Sequence, residues 1–267
     1  MKIGAMLESF HAPTLRQGLA EAAKLQVQGV QAYASFGELS PENMNRENIK
    51  LWKDLLDSRG MVFSAICGDF GGHGFEDEEE NPRKVTGSKR VIDLAKELGC
   101  NIVTTHIGSV PANECAKKDV MRKACRELAL YADSIGSAFA VETGPETASV
   151  LLEFLDSLGA GGVRVNYDPA NLIMCVADDP VAGVATLGKY IVHTHAKDGV
   201  QLSADPVTYE ELPLGKGGVD WDAYLKALHG INFTGFLTIE REVGENPAAD
   251  IRMAAEFLRN KLKELGI

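Results

Sequence analysis

Three acidic side chains and two histidines stand at the ends of four successive apolar segments in the second half of the chain: Glu142, Asp168, His193, His195 and Glu240. Three carboxylates in one place repel each other and resist ionisation unless a cation compensates them. If the four segments are parallel strands, their ends meet at one edge of a sheet. The sequence then predicts a site for one divalent metal ion, held by the three carboxylates and by one of the two histidines, with His195 favoured over His193.

This combination of ligands also limits the metal and its chemistry. Oxygen ligands with a single nitrogen donor suit hard or borderline ions, so Mn²⁺ or Mg²⁺ is expected first, and Co²⁺ or Zn²⁺ also fits. A metal ion that chelates a carbonyl and its neighbouring hydroxyl acidifies the adjacent C–H bond and stabilises the enediolate that forms. One carboxylate can take that proton, and a second on the opposite face can return one, which inverts the carbon. One base on one face would instead move the carbonyl to its neighbour.

Four further polar residues are candidates for contact with a substrate. His106 ends the fourth apolar segment of the chain, and Asn171 and Lys197 lie just past two of the segments that carry predicted ligands. His193 and His195 are two apart on a strand and leave the same face, so His193 is also a candidate. Each candidate has a structural alternative: His106 and His193 as hydrogen-bonded core histidines, and Lys197 as the partner of a carboxylate.

The ligand positions have simpler interpretations too. Asp168 precedes Pro169 and can form a turn. Glu142 and Glu240 can form buried ion pairs with Lys or Arg partners. The residues together nevertheless favour a metal site, because no single simpler interpretation explains all of these positions.

The elements that must position these residues alternate along the whole chain. Eight short apolar segments predict strands: 3–7, 29–33, 61–67, 102–106, 138–142, 163–168, 190–195 and 235–240. Segments with apolar residues at helical spacing predict helices: 14–25, 41–58, 82–98, 118–135, 147–158, 180–187, 220–228 and 248–265. Segments 68–80 and 196–219 show no regular spacing and are predicted as long loops.

Eight such strand–helix units predict the α/β class and a (β/α)₈ TIM barrel, with residues 1–267 as a single domain. Strands dense in Val, Ile and Ala suit a parallel sheet that is covered on both faces, and a doubly wound open sheet is the rival arrangement. The active sites of such barrels lie at the carboxyl ends of the strands. Glu8 and Asp69 face the same end if the predicted strand register holds.

Composition excludes several classes of partner. The chain has 38 acidic and 27 basic residues, a formal net charge of −11 and no basic cluster, so it would repel a nucleic acid backbone. Its five cysteines are scattered without a CxxC pair, which indicates reduced thiols. No apolar run approaches the roughly 18 residues of a membrane span, and the first residues lack a cleavage signal. We expect a cytoplasmic protein, and apolar positions on surface helices are compatible with a homo-oligomer.

Five strings in the second half resemble the xylose-isomerase-like barrel superfamily of sugar isomerases and epimerases. They are Val141-Glu142-Thr143-Gly144, Tyr167-Asp168-Pro169-Ala170-Asn171-Leu172, His193-Thr194-His195-Ala196-Lys197-Asp198-Gly199, Leu214-Gly215-Lys216-Gly217-Gly218-Val219-Asp220-Trp221 and Ile239-Glu240. The resemblance implies that Glu142, Asp168, His195 and Glu240 hold one metal ion. It also implies that the two glutamates are the catalytic acid and base in the isomerisation or epimerisation of a small carbohydrate-like substrate.

The chain departs from the ketose 3-epimerases of that superfamily at three positions. Those enzymes carry a glutamate six residues after the first metal glutamate, a histidine three after the aspartate and an arginine six after the metal histidine. This chain has Ala148, Asn171 and Gln201 at these positions. The resemblance therefore argues against a free-ketohexose 3-epimerase, although the predicted metal site is complete.

Three other functions stay open. A dehydratase or lyase for an inositol-like or keto-acid substrate would share the metal and the first proton abstraction. A nuclease of the apurinic-site type shares the barrel, but it needs a multinuclear zinc cluster with further histidines and a basic DNA face, whereas this chain has six histidines in all. A barrel that binds a sugar without converting it would not need both Glu142 and Glu240.

Overall fold

The computed structural model describes residues 1–72 and 74–267. Eight parallel strands, one from each predicted apolar segment, form a closed barrel in which the last barrel strand pairs with the first. This confirms the predicted (β/α)₈ TIM barrel and excludes the open sheet. The strands in chain order are β1 (Lys2–Met6), β2 (Gly29–Tyr33), β3 (Val62–Cys67), β4 (Ile102–Thr105), β5 (Ala138–Glu142), β6 (Val163–Tyr167), β7 (Ile191–Ala196), β8 (Asp198–Ala204), β9 (Val207–Leu212) and β10 (Phe236–Ile239), of which β8 and β9 lie outside the barrel.

Helices follow the barrel strands and cover the outside of the barrel. They are α1 (Leu15–Lys24), α2 (Arg46–Asp57), α3 (Asn81–Glu97), α4 (Ala116–Ile135), α5 (Ala148–Ser157), α6 (Pro169–Val176), α7 (Pro180–Leu187), α8 (Trp221–Gly230) and α9 (Pro247–Leu265). A short 3₁₀ turn, Glu8–Phe10, follows β1. Within the described ranges no single helix is long and apolar enough to span a bilayer, and α6 and α7 reach that length only as a pair bent by 118°.

The structure corrects two of the predicted elements and adds one helix. Helix α2 begins at Arg46 and not at residue 41, because the Asn45 side chain accepts the Asn48 N–H and caps the helix there. Helix α6 was not predicted, although Asp168 caps its first turn and Pro169 occupies its first position. The predicted irregular loop at 196–219 is wrong for 198–212, where β8 and β9 form an antiparallel hairpin.

The base of this hairpin is fixed by the carboxylate of Asp198, which is only 1% exposed. It accepts hydrogen bonds from the N–H groups of Gly199 (2.9 Å), Gly215 (2.9 Å) and Val219 (3.2 Å), and from Nε1 of Trp221 (3.0 Å). A buried carboxylate with several N–H donors is well compensated. Asp198 therefore joins the start of the hairpin to the first turn of α8.

The layer between the barrel and the helices is apolar. Phe139 and Val141 of β5 are fully buried there, as are Leu128 of α4 and Phe154 of α5. Burial of a side chain of this size stabilises a fold by about 1.5–3 kcal/mol relative to its exposed state. The parallel strands are thus held mainly by their outward side chains.

The inside of the barrel is polar toward its carboxyl end. Gln31 donates to Thr104 Oγ1 (2.9 Å), and His193 is bonded to Asn166 Oδ1 (2.7 Å) and to Thr238 Oγ1 (2.8 Å). TIM barrels are usually filled by branched apolar residues, and buried polar groups are tolerated only when they are paired. This network lies directly beneath the strand ends where chemistry was predicted.

Candidate functional site

The four side chains predicted as metal ligands lie together at the carboxyl ends of the strands. Glu142 ends β5, Asp168 follows β6, His195 belongs to β7 and Glu240 follows β10. One donor atom from each lies within 4.8 Å of the others, and none of the four residues is more than 8% exposed. The barrel therefore brings together residues that are almost one hundred positions apart in the sequence.

Two buried atoms in this cluster make no hydrogen bond among the described residues: Asp168 Oδ2, and His195 Nδ1, whose 3.1 Å contact with Glu240 Oε2 lacks the geometry of a hydrogen bond. The other carboxylate oxygen of Asp168 accepts the N–H groups of Ala170 (2.8 Å) and Asn171 (3.1 Å) as the cap of α6. An unpaired buried polar atom costs about 1–3 kcal/mol. A cation bound between Asp168 Oδ2 and His195 Nδ1 would satisfy both atoms, so the residues present fit a divalent metal.

The hydrogen bonds of His195 define which of its nitrogens faces the cluster. Its Nε2 lies 3.0 Å from Oε1 of Gln31, whose own amide nitrogen donates to Thr104 Oγ1. Asn166 Nδ2 also lies 3.3 Å from Nε2, but Gln31 Oε1 is closer and can only accept, so the proton is assigned to Nε2. Nδ1 then lies 3.1 Å from Glu240 Oε2 and 3.4 Å from Glu142 Oε1. A ring nitrogen that faces carboxylates must hold either a proton or a metal ion. In metal-binding histidines, the ring nitrogen that does not bind the metal commonly donates a hydrogen bond, as Nε2 does here, and this bond orients the ring.

Neighbouring positive charges keep Glu142 and Glu240 ionised. Burial opposes a charge on His195, but the carboxylates of Glu240 and Glu142 outweigh it and raise the pKa of His195 well above its ordinary value. Burial also opposes a charge on Glu142, yet His195 and His106 hold its pKa well below the usual range. For Glu240 burial is again outweighed, and His195 and Lys197 lower its pKa to about 2. Both carboxylates are thus available at neutral pH to bind a cation or accept a proton.

His106 and Asn171, two of the predicted substrate contacts, lie against Glu142. Nε2 of His106 is 3.5 Å from Glu142 Oε1, and its Nδ1 is 2.7 Å from Asp69 Oδ2. Asn171 Nδ2 donates to Glu142 Oε1 and to the carbonyl of Thr143, both at 3.1 Å. The His106 side chain is 47% exposed and lines a cavity beside Glu142, so it is placed to meet a ligand.

Lys197 lies on the other side of the cluster. Its Nζ donates to Glu240 Oε2 (3.2 Å) and is 3.1 Å from Glu242 Oε1. Burial opposes the charge on Lys197, but the surrounding carboxylates, first among them Glu240, raise its pKa well above the ordinary value. Lys197 therefore pairs with a carboxylate and also lines the cavity beside Glu142.

His193 lies deeper in the barrel than the other predicted residues. It is fully buried, with Nδ1 bonded to Asn166 and Nε2 bonded to Thr238. Burial, together with the charge on His195, lowers the pKa of His193 to about 3, so its ring is neutral. In this position it supports Asn166, which in turn donates to Glu142 Oε2 (2.9 Å). A direct contact between His193 and a substrate stays a prediction.

Two cavities border the cluster on different sides. The first, of about 210 Å³, has Glu142 in its wall together with His106, Asn171 and Lys197. The second, of about 280 Å³, has Glu240 in its wall and is completed by Met6, Glu8, Ser9, His11, Tyr33, Arg241 and Glu242. Glu242 also lines the first cavity. A ligand at the cluster therefore has room to extend in two directions.

Sequence reasoning missed the residues that support the ligands. Gln31 orients His195, and Asn166 holds Glu142. Both are lone amides in apolar strands, as in Gly29-Val30-Gln31-Ala32-Tyr33. A polar side chain in a strand that is buried on both faces needs a partner inside the barrel, and this signal could have identified them.

The family model for the xylose isomerase-like TIM barrel matches residues 19–261. The chain therefore belongs to the xylose isomerase-like TIM barrel family. This confirms the resemblance on which the sequence analysis relied. No curated protein matches the chain.

Solved structures with the same fold include both epimerase-like and dehydratase-like proteins. A xylose isomerase domain protein from Planctomyces limnophilus is 27% identical, with a TM-score of 0.86 over 99% of this chain and 98% of that one. A D-tagatose 3-epimerase-like protein is 19% identical, with a TM-score of 0.81 over 100% and 98%. The probable 3-DHS dehydratase AsbF from Bacillus anthracis is 17% identical, with a TM-score of 0.79 over 97% and 99%. The last two similarities show the fold alone.

Proposed function

We propose that this protein is a divalent-metal-dependent isomerase or epimerase of a sugar or sugar-like ketone. The observation that carries the proposal is the cluster of Glu142, Asp168, His195 and Glu240, in which two buried donor atoms lack a partner and two glutamates border different cavities. Membership of the xylose isomerase-like TIM barrel family supports it, as does the fold that the chain shares with an L-ribulose 3-epimerase.

These four residues would hold the metal ion. When bound there, a divalent ion polarises a substrate carbonyl and stabilises the negative charge that proton removal leaves behind. Mn²⁺ and Mg²⁺ suit three oxygen donors and one nitrogen donor best, and Co²⁺ and Zn²⁺ are compatible with the same donors. The protein contributes the orientation of the donors through Gln31 and the cap of α6.

In this proposal the two glutamates move protons on two sides of a substrate. Glu142 ends β5 and Glu240 follows β10, and β6 and β7 lie between these strands in the barrel. His106 and Asn171 hold the first carboxylate, and Lys197 holds the second. A proton taken by one glutamate and returned by the other inverts the carbon between them.

The three departures from the ketose 3-epimerase pattern have structural consequences. Gln201 donates to the carbonyl of Met174 (3.2 Å), Ala148 is buried at the start of α5, and Asn171 is engaged with Glu142. None of these side chains supplies the charged group that those epimerases carry at the same position. This supports a substrate other than a free ketohexose that is epimerised at carbon 3.

The proposal is tested by solvent exchange. Protein loaded with Mn²⁺ or Mg²⁺ would be incubated in D₂O with ketoses and keto-inositols, and deuterium uptake next to the carbonyl would be followed by NMR. We expect uptake that requires metal and that falls by about 10²–10⁴ in Glu240→Gln, since general acid–base groups contribute by this amount. Elemental analysis of the same samples would report metal content.

A matched control is Glu245→Gln, because Glu245 is exposed and lies five residues past Glu240. It should exchange at the parent rate. A Glu240→Gln protein that exchanges at the parent rate would overturn the proposed acid–base role. Elimination of water from the substrate would identify the protein as a dehydratase that uses the same first step.

A further inference from the structure

The cavity beside Glu240 is the larger of the two, yet Glu240 is the only residue of its wall that has a role in the proposed proton transfer. Its volume of about 280 Å³ is close to the lower limit of about 300 Å³ for ordinary ligand pockets. The cavity beside Glu142 adds about 210 Å³, and both are lined by Glu242. Since the cluster lies at the border of both, a molecule bound to it can occupy both cavities.

Glu8 gives this second cavity a free hydrogen-bond acceptor. Its Oε1 accepts the N–H of Tyr33 (2.9 Å), which fixes the carboxyl group at the end of β1. Its Oε2 is buried and has no hydrogen-bond partner among the described residues. Because Glu8 lines the cavity, a small displacement of its side chain would let a ligand hydroxyl donate to this oxygen and remove the cost of leaving it unpaired.

An aromatic pair extends from the same cavity. The Tyr33 ring lines the cavity and stacks on Phe36, with 5.2 Å between centroids and 27° between the ring planes. Phe36 is 60% exposed, although a large apolar ring is usually buried. An aromatic platform next to a hydroxyl acceptor suits a sugar ring, which has an apolar face and a polar edge.

The charges around both cavities argue against a phosphate group. Among the described residues of their walls, the fixed cations are Lys197 and Arg241, and the His106 ring lies between the carboxylates of Asp69 and Glu142. Lys197 is bonded to Glu240, and Arg241 is bonded to Glu211 (2.7 Å) and to Asp250 (2.9 Å). A phosphate needs Arg or Lys side chains that can turn toward it, and both of these are already neutralised by carboxylates.

We propose that the cavity beside Glu240 is a subsite for a second, uncharged sugar ring, so that the substrate is a glycosylated ketone and not a free or phosphorylated monosaccharide. Glu8 accepts hydroxyl hydrogen bonds from this ring, Tyr33 packs against its apolar face in the cavity wall, and Phe36 extends that aromatic surface at the mouth of the cavity. The inference rests on the proposed function only for the position of the reacting ketone at the metal cluster.

Binding tests this inference independently of catalysis. The metal-loaded protein would be titrated calorimetrically with D-fructose, D-fructose 6-phosphate and three ketose disaccharides of different linkage: turanose, maltulose and isomaltulose. We expect at least one disaccharide to bind about tenfold more tightly than D-fructose, and D-fructose 6-phosphate to bind no better than D-fructose. Phe36→Ala and Glu8→Gln should remove the gain from the second ring. Leu130→Ala should retain it, because Leu130 is an apolar residue of α4 that is 49% exposed.

Deuterium uptake by the same sugars separates this inference from the proposed function. Tight disaccharide binding without exchange would support the subsite and contradict the isomerase proposal. Exchange at equal efficiency on D-fructose and on every disaccharide would support the isomerase and overturn the subsite. Equal affinities across the panel, preferential binding of the phosphate, or an unchanged gain in Phe36→Ala would each overturn the subsite as well.

Discussion

A buried glutamate beside the site, Glu146, leads to a quantitative prediction about stability. It is 6% exposed, its Oε2 accepts the N–H of Val110 (3.1 Å), and its Oε1 is buried without a partner among the described residues. Burial raises its pKa from 4.5 to about 7, against the opposing effect of the Val110 hydrogen bond. Val110 belongs to the loop that carries His106, so the charge on Glu146 acts close to the first cavity.

The sign of the effect follows from proton linkage. The folded protein holds the Glu146 proton more tightly than the unfolded chain, so the stability that this proton contributes is complete below pH 4.5. It is lost as the pH rises through about 7. A shift from 4.5 to about 7 at about 1.4 kcal/mol per unit corresponds to a loss of about 3 kcal/mol between these limits. A neutral side chain at this position would not lose it.

The test is urea denaturation of the parent protein and of Glu146→Gln at pH values from 4.5 to 8. We expect the free energy of unfolding of the variant, measured relative to the parent, to rise by about 3 kcal/mol across this range. Glu153→Gln serves as the control, because Glu153 is an exposed residue of α5, and its difference from the parent should stay constant. A constant difference for Glu146→Gln would refute the argument from burial.

Three other substitutions, at two positions, test how the proposed metal site is built. Gln31→Leu removes the acceptor that orients His195 and should weaken metal binding about 10–100-fold in a calorimetric titration; an unchanged affinity would show that Gln31 does not position the ring. Asp168→Asn keeps the cap of α6 but loses a charged ligand, whereas Asp168→Ala loses both. Both variants should lose metal by elemental analysis, and only Asp168→Ala should also unfold about 1 kcal/mol more easily without metal; equal stability of the two would argue against the cap.

The barrel and the four clustered residues could be predicted from the sequence because each depends on local pattern. Strands such as β5 and β10 are short apolar runs that end in a carboxylate, and parallel strands bring their carboxyl ends to one edge. The position of Glu142 and Glu240 at strand ends therefore predicts that both lie at the carboxyl end of the barrel.

The parts that the sequence did not reveal depend on contacts between distant segments. The bond between Gln31 and His195 spans 164 positions, and no local signal pairs these two residues. Helix α6 has a clear start at Asp168 and Pro169, but it is only eight residues long, so its spacing was too short to identify. The hairpin alternates weakly, because several side chains on both faces are exposed.

The hydrogen bonds of Asp198 at the base of the hairpin separate a fixed part of the chain, next to His195, from an exposed part at the tip of the hairpin. Toward His195 the backbone is anchored by four hydrogen bonds, so the imidazole keeps its place whatever happens farther out. Toward the tip, Leu202 and Val207 are exposed, while Tyr209 reaches the wall of the first cavity. A substitution at the tip can therefore change the wall of the first cavity without loosening the anchor at Asp198. In a fold that serves many reactions, such a separation lets new specificities arise in small steps.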